Sequence, residues 1–327
     1  MAFSRIGVVG AGGWGLALAI AAHRAGRETQ IWGRAGGAFA ELAANRRSEK
    51  LPGVGLPPEI GLSAALADLE GCDALLLAVP AQAARSTAAA LSAALCGRPP
   101  LAICAKGVER DTAKFMTEAV GEAAPGFPLA VLSGPSFATD VAAGLPTAVT
   151  LAAADAALAA ELADALQGPG FRLYDSDDPR GVEIGGAAKN VLAIACGAAA
   201  GLKLGASASA ALVARGFAEL SRFGAAYGAR PATLMGLAGL GDLVLTCASP
   251  QSRNFACGFD LGQGLRPESA GGGRLAEGAH TAPSLLTLAR ARGVDMPIVE
   301  AVDAVLRAEI TAREAVERLL GRPRKRE

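Results

Sequence analysis

Hydrophobic and polar residues follow two different patterns along the chain, and the change falls near residue 180. In the first part, short apolar runs typical of β-strands are separated by alanine-rich stretches typical of helices, such as residues 82–95 and 155–166. The predicted strands cover residues 5–9, 29–32, 74–79, 101–105, 129–132, 147–151 and 171–174. Several runs are continuously apolar, as expected where helices cover both faces of a parallel sheet. This β–α alternation predicts an α/β domain with a Rossmann-type, doubly wound sheet.

The second part has no convincing strand pattern, and glycine and proline divide it into helices. The predicted helices cover residues 182–202, 209–227, 231–237, 284–292, 297–307 and 311–320. The glycine-rich stretch 262–273 is predicted to be a mobile loop. The chain is therefore expected to form two domains, a Rossmann domain of residues 1–181 and an all-helical C-terminal domain of residues 182–327.

Composition and charge exclude several classes of protein. Lysine plus arginine and aspartate plus glutamate both number 31 among 327 residues, which gives a formal net charge of +0. No overall field therefore favours nucleic acid or a membrane surface, and the basic run at residues 322–326 is expected to be a solvated tail. No two of the six cysteines have C-x-x-C spacing; they are Cys72, Cys96, Cys104, Cys196, Cys247 and Cys257. This indicates reduced thiols in a cytoplasmic protein, without a zinc site.

Residues 1–22 have the outline of a signal peptide, with a basic residue before an apolar run. Glycines at positions 7, 10, 12, 13 and 15 would interrupt an apolar helix, and a strand–turn–helix unit explains them better. No other uncharged apolar stretch reaches the roughly 18 residues of a membrane span without glycine or proline. No membrane insertion is predicted. The sequence does not give the oligomeric state, for which a homodimer is a candidate.

The segment from Gly10 to Gly15 has the spacing G-x-G-x-x-G between a predicted strand and a predicted helix. Here the first glycine permits a tight turn, Gly12 lets the backbone approach a pyrophosphate, and the last lets the helix pack on the strand. The helix offers free N–H groups and the positive end of its dipole to phosphates. The spacing alone arises by chance in glycine-rich chains, but in this context it indicates a dinucleotide site.

The end of the second predicted strand indicates which dinucleotide binds. An acidic residue about 20 positions after the loop would hold the ribose 2′-hydroxyl of NAD. The charged residue at this place is Arg34, and Glu28 lies before the strand. A guanidinium suits a 2′-phosphate, so NADP(H) is preferred and NAD(H) is the alternative. An ordinary loop cation is the simpler interpretation of Arg34.

A hydride-transfer enzyme also needs a proton donor, for which histidine is the usual residue. His23 falls late in the first helix and is interpreted as structural, whereas His280 follows Glu277 in a predicted loop and is a weak candidate for cofactor contact. Lysine can replace histidine where burial or a nearby cation lowers its pKa.

Lys189 is the leading lysine candidate because helical spacing surrounds it with uncharged residues. These neighbours are Gly185, Gly186, Leu192, Ala193 and Cys196. An unpaired buried ammonium is costly, so the side chain either extends to solvent or has an anionic partner. Asp242, equally isolated among glycines and aliphatic residues, is the candidate partner. A structural salt bridge is the alternative interpretation of the pair.

Three other segments carry candidate binding groups. Lys106 follows the strand 101–105, and ligands bind at the carboxyl ends of parallel strands. The turn Ser133-Gly-Pro-Ser136 follows the next strand, and Ser252-Arg-Asn254 offers arginine and asparagine to an anion. Each has a simpler interpretation: a solvated lysine, a turn and a helix start.

Together these segments resemble the bacterial NAD(P)-dependent glycerol-3-phosphate dehydrogenases over nearly the whole chain. The resemblance is carried by residues 10–19 (GAGGWGLALA), 105–107 (AKG), 133–138 (SGPSFA), 185–194 (GGAAKNVLAI), 239–246 (GLGDLVLT) and 252–254 (SRN), with Glu277-Gly278 after the loop. Six ordered motifs are far more specific than the glycine loop alone. The resemblance implies that the first domain holds the cofactor and that the helical domain completes the substrate site.

The resemblance also implies residue roles. Lys189 would be the general acid and base at the substrate's C2 oxygen, with Lys106 and Asp242 setting its position and charge. The implied substrate contacts are Lys106, Gly134, Ser136, Lys189, Asp242, Ser252, Arg253 and Asn254. The implied cofactor site is lined by Gly10, Gly12, Gly13, Trp14, Gly15, Arg34, Lys106, Ala138, Arg253, Leu275 and Glu277. Relatives often have serine where this chain has Gly13, and the loss of that hydroxyl is expected to have little effect.

The implied reaction is the reversible, NAD(P)H-dependent reduction of dihydroxyacetone phosphate to sn-glycerol 3-phosphate, which supplies glycerophospholipid synthesis. The substrate phosphate would lie on Arg253 and Asn254. Two alternatives stay open: a reductase of another oxo acid on the same two-domain plan, and a non-catalytic NADP(H)-binding sensor. The first would lack the phosphate site at residues 252–254, and the second would need no lysine–acid pair in the helical domain.

Overall fold

A computed structural model describes residues 3–273 and 276–323. Leu275, one of the predicted cofactor residues, lies outside them. The chain divides into two compact units. The first comprises Met1–Ala105 and Phe115–Val182, and the second comprises Lys106–Lys114 and Glu183–Glu327. The short segment Lys106–Lys114 therefore belongs with the C-terminal half of the chain, although the first half encodes it.

The first unit is built on one eight-stranded sheet. Its strands are β1 (Arg5–Val9), β2 (Glu28–Trp32), β3 (Gly61–Ser63), β4 (Ala74–Leu77), β5 (Leu101–Ile103), β6 (Leu129–Ser133), β7 (Thr147–Ala153) and β8 (Phe171–Ser176). Their order across the sheet is β3-β2-β1-β4-β5-β6-β7-β8. All neighbouring pairs are parallel except β6 and β7. The predicted Rossmann-type, doubly wound sheet is confirmed, with one antiparallel pair that the sequence pattern did not indicate.

Helices cover both faces of this sheet. They are α1 (Gly13–Arg24), α2 (Gly37–Asn45), α3 (Ala81–Ala94), α4 (Met116–Ala123), α5 (Ala138–Ala143) and α6 (Ala156–Leu166). Side chains of α1 and α6 share a buried core with one sheet face, and those of α3 and α4 share another with the opposite face. Because both faces are covered, the central strands are continuously buried, as in β4, whose four residues are all inaccessible.

The second unit is helical, as predicted. Its helices are α7 (Pro179–Gly201, which begins in the first unit), α8 (Ala206–Ala226), α9 (Pro231–Met235), α10 (Asp242–Ala248), α11 (Arg253–Gly262), α12 (Glu277–Ala291), α13 (Pro297–Leu306) and α14 (Ala312–Leu320). A π-helical turn, Leu237–Gly241, precedes α10, and a 3₁₀ turn, Ala270–Gly273, follows α11. The helices α10 and α11 were not among the predicted helices, although a helix start was one interpretation of residues 252–254. Helix α10 has only seven residues, too few for a clear helical period.

One predicted loop is wrong. The helix expected at residues 284–292 begins earlier, at Glu277, and carries Pro283 in its interior. His280, which was placed in a loop, therefore lies within α12. A proline inside a helix removes one backbone hydrogen bond but does not always end the helix. The predicted mobility of residues 262–273 stays a prediction.

Among the described residues, the stretches Pro179–Gly201 and Pro231–Ala248 are long and apolar enough to cross a membrane by length and composition alone. In the first, 83% of the apolar window is buried within the protein, which is also typical of a core helix. Two such stretches are weak support for membrane insertion, and its expected absence stays a prediction.

Helix α7 is in backbone contact with α11. A Cβ built on Gly197 of α7 would lie 2.0 Å from the carbonyl oxygen of Phe255, and one built on Gly258 of α11 would lie 2.0 Å from that of Ile194. Only glycine permits this approach, so the separation of the two helices is fixed by their main chains. This contact sets the spacing of polar side chains that the two helices present to each other.

Candidate active site

Three charged side chains meet inside the helical unit. The Nζ of Lys189 donates a hydrogen bond to Oδ1 of Asp242, and the Nζ of Lys106 donates to Oδ2 of the same carboxylate at 2.7 Å. Asp242 is fully buried and Lys189 is 7% exposed. The predicted pairing of Lys189 with Asp242 is therefore present, and one carboxylate serves two ammonium groups.

Local sequence positions these groups. Asp242 is the first residue of α10, and the π-helical turn Leu237–Gly241 runs directly into it. One turn later, the hydroxyl of Thr246 donates to the carbonyl oxygen of Asp242 at 2.6 Å and accepts a hydrogen bond from Lys189 at 3.0 Å. Thr246 was not identified from the sequence, although its i+4 spacing from Asp242 was a usable signal.

Burial decides the proton affinity of Lys189. Loss of solvation lowers its pKa from 10.5 to about 7, the negative charge of Asp242 opposes this change, and the positive charge of Lys106 adds to it. An amine with a pKa near neutrality can both donate and accept a proton under physiological conditions. The cluster is thus chemically suited to acid–base catalysis at a carbonyl or alcohol oxygen.

A chain of buried amides lies beside the charged cluster. The Nδ2 of Asn190 donates to the carbonyl oxygen of Lys106 at 2.9 Å, and the Nδ2 of Asn254 donates to Oδ1 of Asn190 at 2.8 Å. The backbone N–H of Gly278, in the first turn of α12, donates to Oδ1 of Asn254 at 2.9 Å. Asn190 was not identified from the sequence, because asparagine next to a lysine has no local signature.

The segment Ser252–Asn254 is a helix start, which was the simpler interpretation of this motif. Ser252 is the N-cap of α11, and its side chain accepts a hydrogen bond from the N–H of Phe255 at 3.2 Å. Arg253 is the first helical residue and is exposed. Glu277 likewise begins α12. Substrate contact by Ser252 and Arg253 and cofactor contact by Arg253 and Glu277 stay predictions.

The glycine loop of the first unit has the conformation that a dinucleotide requires. Gly10 has a φ of +125°, and a Cβ on Gly15 would lie 1.9 Å from the carbonyl oxygen of Gly10. A Cβ on Gly12 would meet no atom within 4 Å, so open space lies above the start of α1. The indole N–H of Trp14 is buried without a hydrogen-bond partner among the described residues. Open space at a helix N-terminus and an available donor fit a pyrophosphate group.

Two neighbouring segments of the same unit lie against this loop. A Cβ on Gly13 would lie 2.4 Å from the carbonyl oxygen of Lys50 and 3.9 Å from the Cβ of Ala138, the first residue of α5. Gly134, with a φ of +149°, directly follows β6, and its carbonyl oxygen accepts a hydrogen bond from the hydroxyl of Ser136 at 3.1 Å. The predicted cofactor residue Ala138 is thus beside the glycine loop.

Arg34 is exposed just after β2. The acidic residue of this region, Glu28, opens β2 and forms an ion pair with Arg5 at 3.1 Å. Of the histidines, His23 lies in α1, and Nδ1 of His280 is 3.5 Å from Nη1 of Arg110. Burial and the positive charge of Arg110 lower the pKa of His280.

Two family models together match most of the chain. The model for the N-terminus of NAD-dependent glycerol-3-phosphate dehydrogenase matches residues 5–159, and the model for the C-terminus matches residues 178–317. Among curated proteins, the glycerol-3-phosphate dehydrogenase [NAD(P)+] of Azorhizobium caulinodans is 57% identical over 100% of this chain and 99% of its own length. That of Methylobacterium radiotolerans is 56% identical over 97% of this chain and 96% of its own length.

Solved structures show the same relationship. A crystal structure of glycerol-3-phosphate dehydrogenase from Coxiella burnetii superposes with a TM-score of 0.93 at 36% identity, covering 98% of this chain and 100% of that one. A ketopantoate reductase from Ralstonia eutropha reaches a TM-score of only 0.59 at 19% identity, covering 95% and 99%. The second likeness shows the two-domain fold alone.

Proposed function

Because the chain belongs to the NAD-dependent glycerol-3-phosphate dehydrogenase family, we propose that it reduces dihydroxyacetone phosphate to sn-glycerol 3-phosphate with NAD(P)H, and catalyses the reverse reaction. The observation that carries the proposal is the buried Lys189–Asp242–Lys106 cluster, whose central amine has a pKa of about 7. A sensor that only bound the dinucleotide would gain nothing from this costly arrangement.

The dinucleotide, when bound, supplies or accepts the hydride. Its proposed site includes the glycine loop, Trp14, Arg34 and Ala138 of the first unit, with Lys106, Arg253, Glu277 and Leu275 as further contacts. The open space above Gly12 and the unpaired indole N–H of Trp14 support this assignment. The guanidinium of Arg34, and the ion pair that already occupies Glu28, favour NADP(H) over NAD(H).

Lys189 moves the proton. In its ammonium form it donates a proton to the carbonyl oxygen at C2 of the substrate, and in the oxidative direction the neutral amine takes the alcohol proton back. Asp242 and Thr246 orient the amine through their hydrogen bonds. The cation of Lys106 stabilises the negative charge that develops on the substrate oxygen and keeps the pKa of Lys189 low.

The substrate phosphate is assigned to the start of α11. The exposed guanidinium of Arg253 and the first N–H groups of the helix are suited to a phosphate dianion. Gly134, Ser136, Ser252 and Asn254 are proposed as further substrate contacts. This phosphate assignment favours a phosphorylated triose over the oxo acids of the alternative reductases.

The remaining proposals concern cellular role. All six cysteines are free thiols, which suits a cytoplasmic enzyme. Residues 1–181 would bind the cofactor and residues 182–327 would complete catalysis, and the product would supply glycerophospholipid synthesis. A homodimer stays a candidate for the oligomeric state.

Loss of reduced-nicotinamide absorbance on addition of dihydroxyacetone phosphate tests the function directly. Ketopantoate and a 3-oxoacyl substrate serve as comparison substrates, and faster turnover of either would reject the proposal. The Lys189→Ala variant should lose about 100-fold or more in turnover, because its acid–base group is gone, while its affinity for NADPH stays within a few-fold of wild type. Near-normal turnover in this variant would remove Lys189 from the mechanism.

A further inference from the structure

The buried amide chain next to the charged cluster contacts the main chain of Lys106, whose side chain contacts Asp242. We propose that Asn190 and Asn254 form a positioning relay that keeps Lys106 against Asp242 and so controls the protonation of Lys189. The proposal rests on the proposed function, since it concerns the reacting amine. It gives Asn254 a second role besides its proposed substrate contact, and it gives Asn190 a role for the first time.

The donors and acceptors along the relay can be arranged in only one way. The N–H of Gly278 can only donate, so it must face Oδ1 of Asn254, and the carbonyl of Lys106 can only accept, so it must face Nδ2 of Asn190. The middle hydrogen bond then runs from Nδ2 of Asn254 to Oδ1 of Asn190. Rotating either amide by 180° would break two hydrogen bonds at once, so the ends of the chain fix both side chains.

The relay is also rigid. Asn190 and Asn254 are 5% and 8% exposed, so water cannot readily replace a lost partner. They lie on α7 and α11, whose backbones touch at Gly197 and Gly258 and cannot move closer. The distance between the two amides is therefore set by main-chain packing.

Hydrogen bonds hold both the main chain and the side chain of Lys106. Its carbonyl oxygen accepts from Asn190, and its Nζ donates to Asp242. Farther along the same segment, the carbonyl of Arg110 accepts a hydrogen bond from the hydroxyl of Ser284 at 3.5 Å. Lys106 lies in a short non-helical segment, so these contacts, rather than a helix of its own, help to hold its ammonium in place.

Removing the hydrogen bonds of the relay should raise the pKa of Lys189. The charged or titratable groups that act on Lys189 are Asp242 and Lys106, and the thiol of Cys247 also interacts with it. If Lys106 moves away, its positive charge no longer disfavours the ammonium, and Asp242 is left to stabilise Lys189 alone. Both changes raise the pKa of Lys189, so the relay keeps this amine near neutrality.

The test is the pH dependence of kcat for dihydroxyacetone phosphate reduction at saturating NADPH, in wild type, Asn190→Ala, Asn254→Ala and the double variant. The ammonium is the active form in this direction, so kcat of wild type should fall as pH rises through about 7. Each single variant should move this limb upward by about half a unit or more. The double variant should move it no farther, because residues of one network are not additive.

A purely structural role would not move this limb. Tyr227→Phe is the matched control, since it removes one side-chain hydrogen bond to the carbonyl of Leu288, 2.8 Å long, in the same unit. Its pH profile should match wild type even if its melting temperature falls. If Asn254→Ala fails to fold, Asn190→Ala carries the test alone, because it removes the hydrogen bond to the carbonyl of Lys106 itself.

Unchanged profiles in both single variants, or shifts that add in the double variant, would overturn the relay. A higher KM for dihydroxyacetone phosphate in the Asn254 variants with an unmoved profile would also overturn it, leaving Asn254 as a phosphate ligand only. Failure of the proposed function is distinguishable. In that case wild type shows no turnover, and NMR titration of ¹⁵N-labelled lysine still reports whether Asn190→Ala raises the pKa of Lys189.

Discussion

At the scale of single residues, the central feature is a carboxylate shared by two ammonium groups. Asp242 has lost all contact with solvent, and leaving it without a partner would be strongly destabilising. Two cationic neighbours stabilise this carboxylate, and burial lowers the pKa of Lys189 to about 7. The cluster is therefore suited to the proposed transfer of a proton near neutral pH.

Arg34→Asp tests cofactor selection. We expect the kcat/KM for NADPH to fall by about 10- to 100-fold, because a charge-assisted hydrogen bond to the 2′-phosphate is lost and a like charge is introduced. The value for NADH should hold or rise. Steady-state kinetics with both cofactors measures the change, and Arg172→Asp, on the far edge strand β8, is the matched control. An unchanged preference would make Arg34 an ordinary surface cation.

Gly13→Ser tests the approach of Lys50 to the glycine loop. The family resemblance implies serine at this position in relatives, but here its Cβ would lie 2.4 Å from the carbonyl oxygen of Lys50. One of the two main chains must then move, and we expect NADPH affinity to weaken by about tenfold, a cost of about 1.4 kcal/mol. Fluorescence titration with NADPH measures it. The resemblance alone predicts little effect, so wild-type affinity would show that the loop adapts freely.

The charged residues of the cluster could be predicted from sequence, and the polar ones could not. Lys189 and Asp242 were identifiable because a charge among aliphatic residues is costly without a partner. Asn190 carries no charge and had no local signature, whereas the only signal for Thr246 was its i+4 spacing from Asp242. Ser252 had two interpretations that do not exclude each other: its bond to Phe255 shows the helix cap, and substrate contact stays a prediction.

At the scale of elements, one helix depends on a distant carboxylate. Glu219 of α8 is 2% exposed and accepts hydrogen bonds from the N–H groups of Ile298 at 2.9 Å and Val299 at 3.4 Å, in the first turn of α13. Burial raises its pKa from 4.5 to about 7, against the lowering effect of the two N–H groups and Arg222. The helix is thus capped by a side chain from another element.

The stability of the protein should depend on pH through this group. Between pH 4.5 and about 7 the folded protein holds the Glu219 proton more tightly than the unfolded chain, so stability from this residue falls as pH rises through that window. Its contribution is of the order of 3 kcal/mol at most. Glu219→Gln should flatten this dependence in urea unfolding between about pH 5 and about pH 8. Glu300→Gln, on the exposed side of α13, should keep the wild-type slope; equal slopes in all three proteins would reject the assignment.

Element boundaries were predictable where apolar periodicity and caps agreed. Helix α14 begins after the N-cap Thr311, whose capping box with Glu314 is visible in the sequence. Helix α12 was missed for seven residues because Pro283 lies inside it. Strand β3 has only three residues of intermediate burial, too few for a periodic signal. The reversal of β7 could not be inferred, since a buried strand is apolar in either direction.

At the scale of the whole molecule, the chain does not divide at a single point. The segment Lys106–Lys114 is encoded within the sheet-forming half but belongs to the helical unit. Its partners there, Asn190, Asp242 and Ser284, all follow residue 181. Composition and periodicity change only once, near residue 180, so they did not predict that residues 106–114 leave the sheet-forming unit.

Limited trypsin digestion should show that the segment Lys106–Lys114 depends on the helical unit for its protection. In the full chain, cleavage after Lys106, Arg110 and Lys114 should be slow, because the segment is held by its helical partners. In a fragment of residues 1–181 the same bonds should be cut at least about tenfold faster, since those partners are missing. Mass spectrometry of the products measures the rates, with cleavage after Arg172 as the internal reference. Equal protection in both proteins would show that the segment needs no helical partner.

This interleaved path limits how such an enzyme can be recombined. A chimera joined near residue 181 would take Lys106 from one parent and Asp242, Lys189 and Asn190 from the other. The proposed acid–base groups would then come from two different proteins and would not be matched in position. This would happen even though the junction lies where the sheet-forming part of the sequence ends and the helical part begins. A chimera that takes its cofactor-binding unit from one relative should therefore be active only when the segment Lys106–Lys114 comes from the same parent as the helical unit.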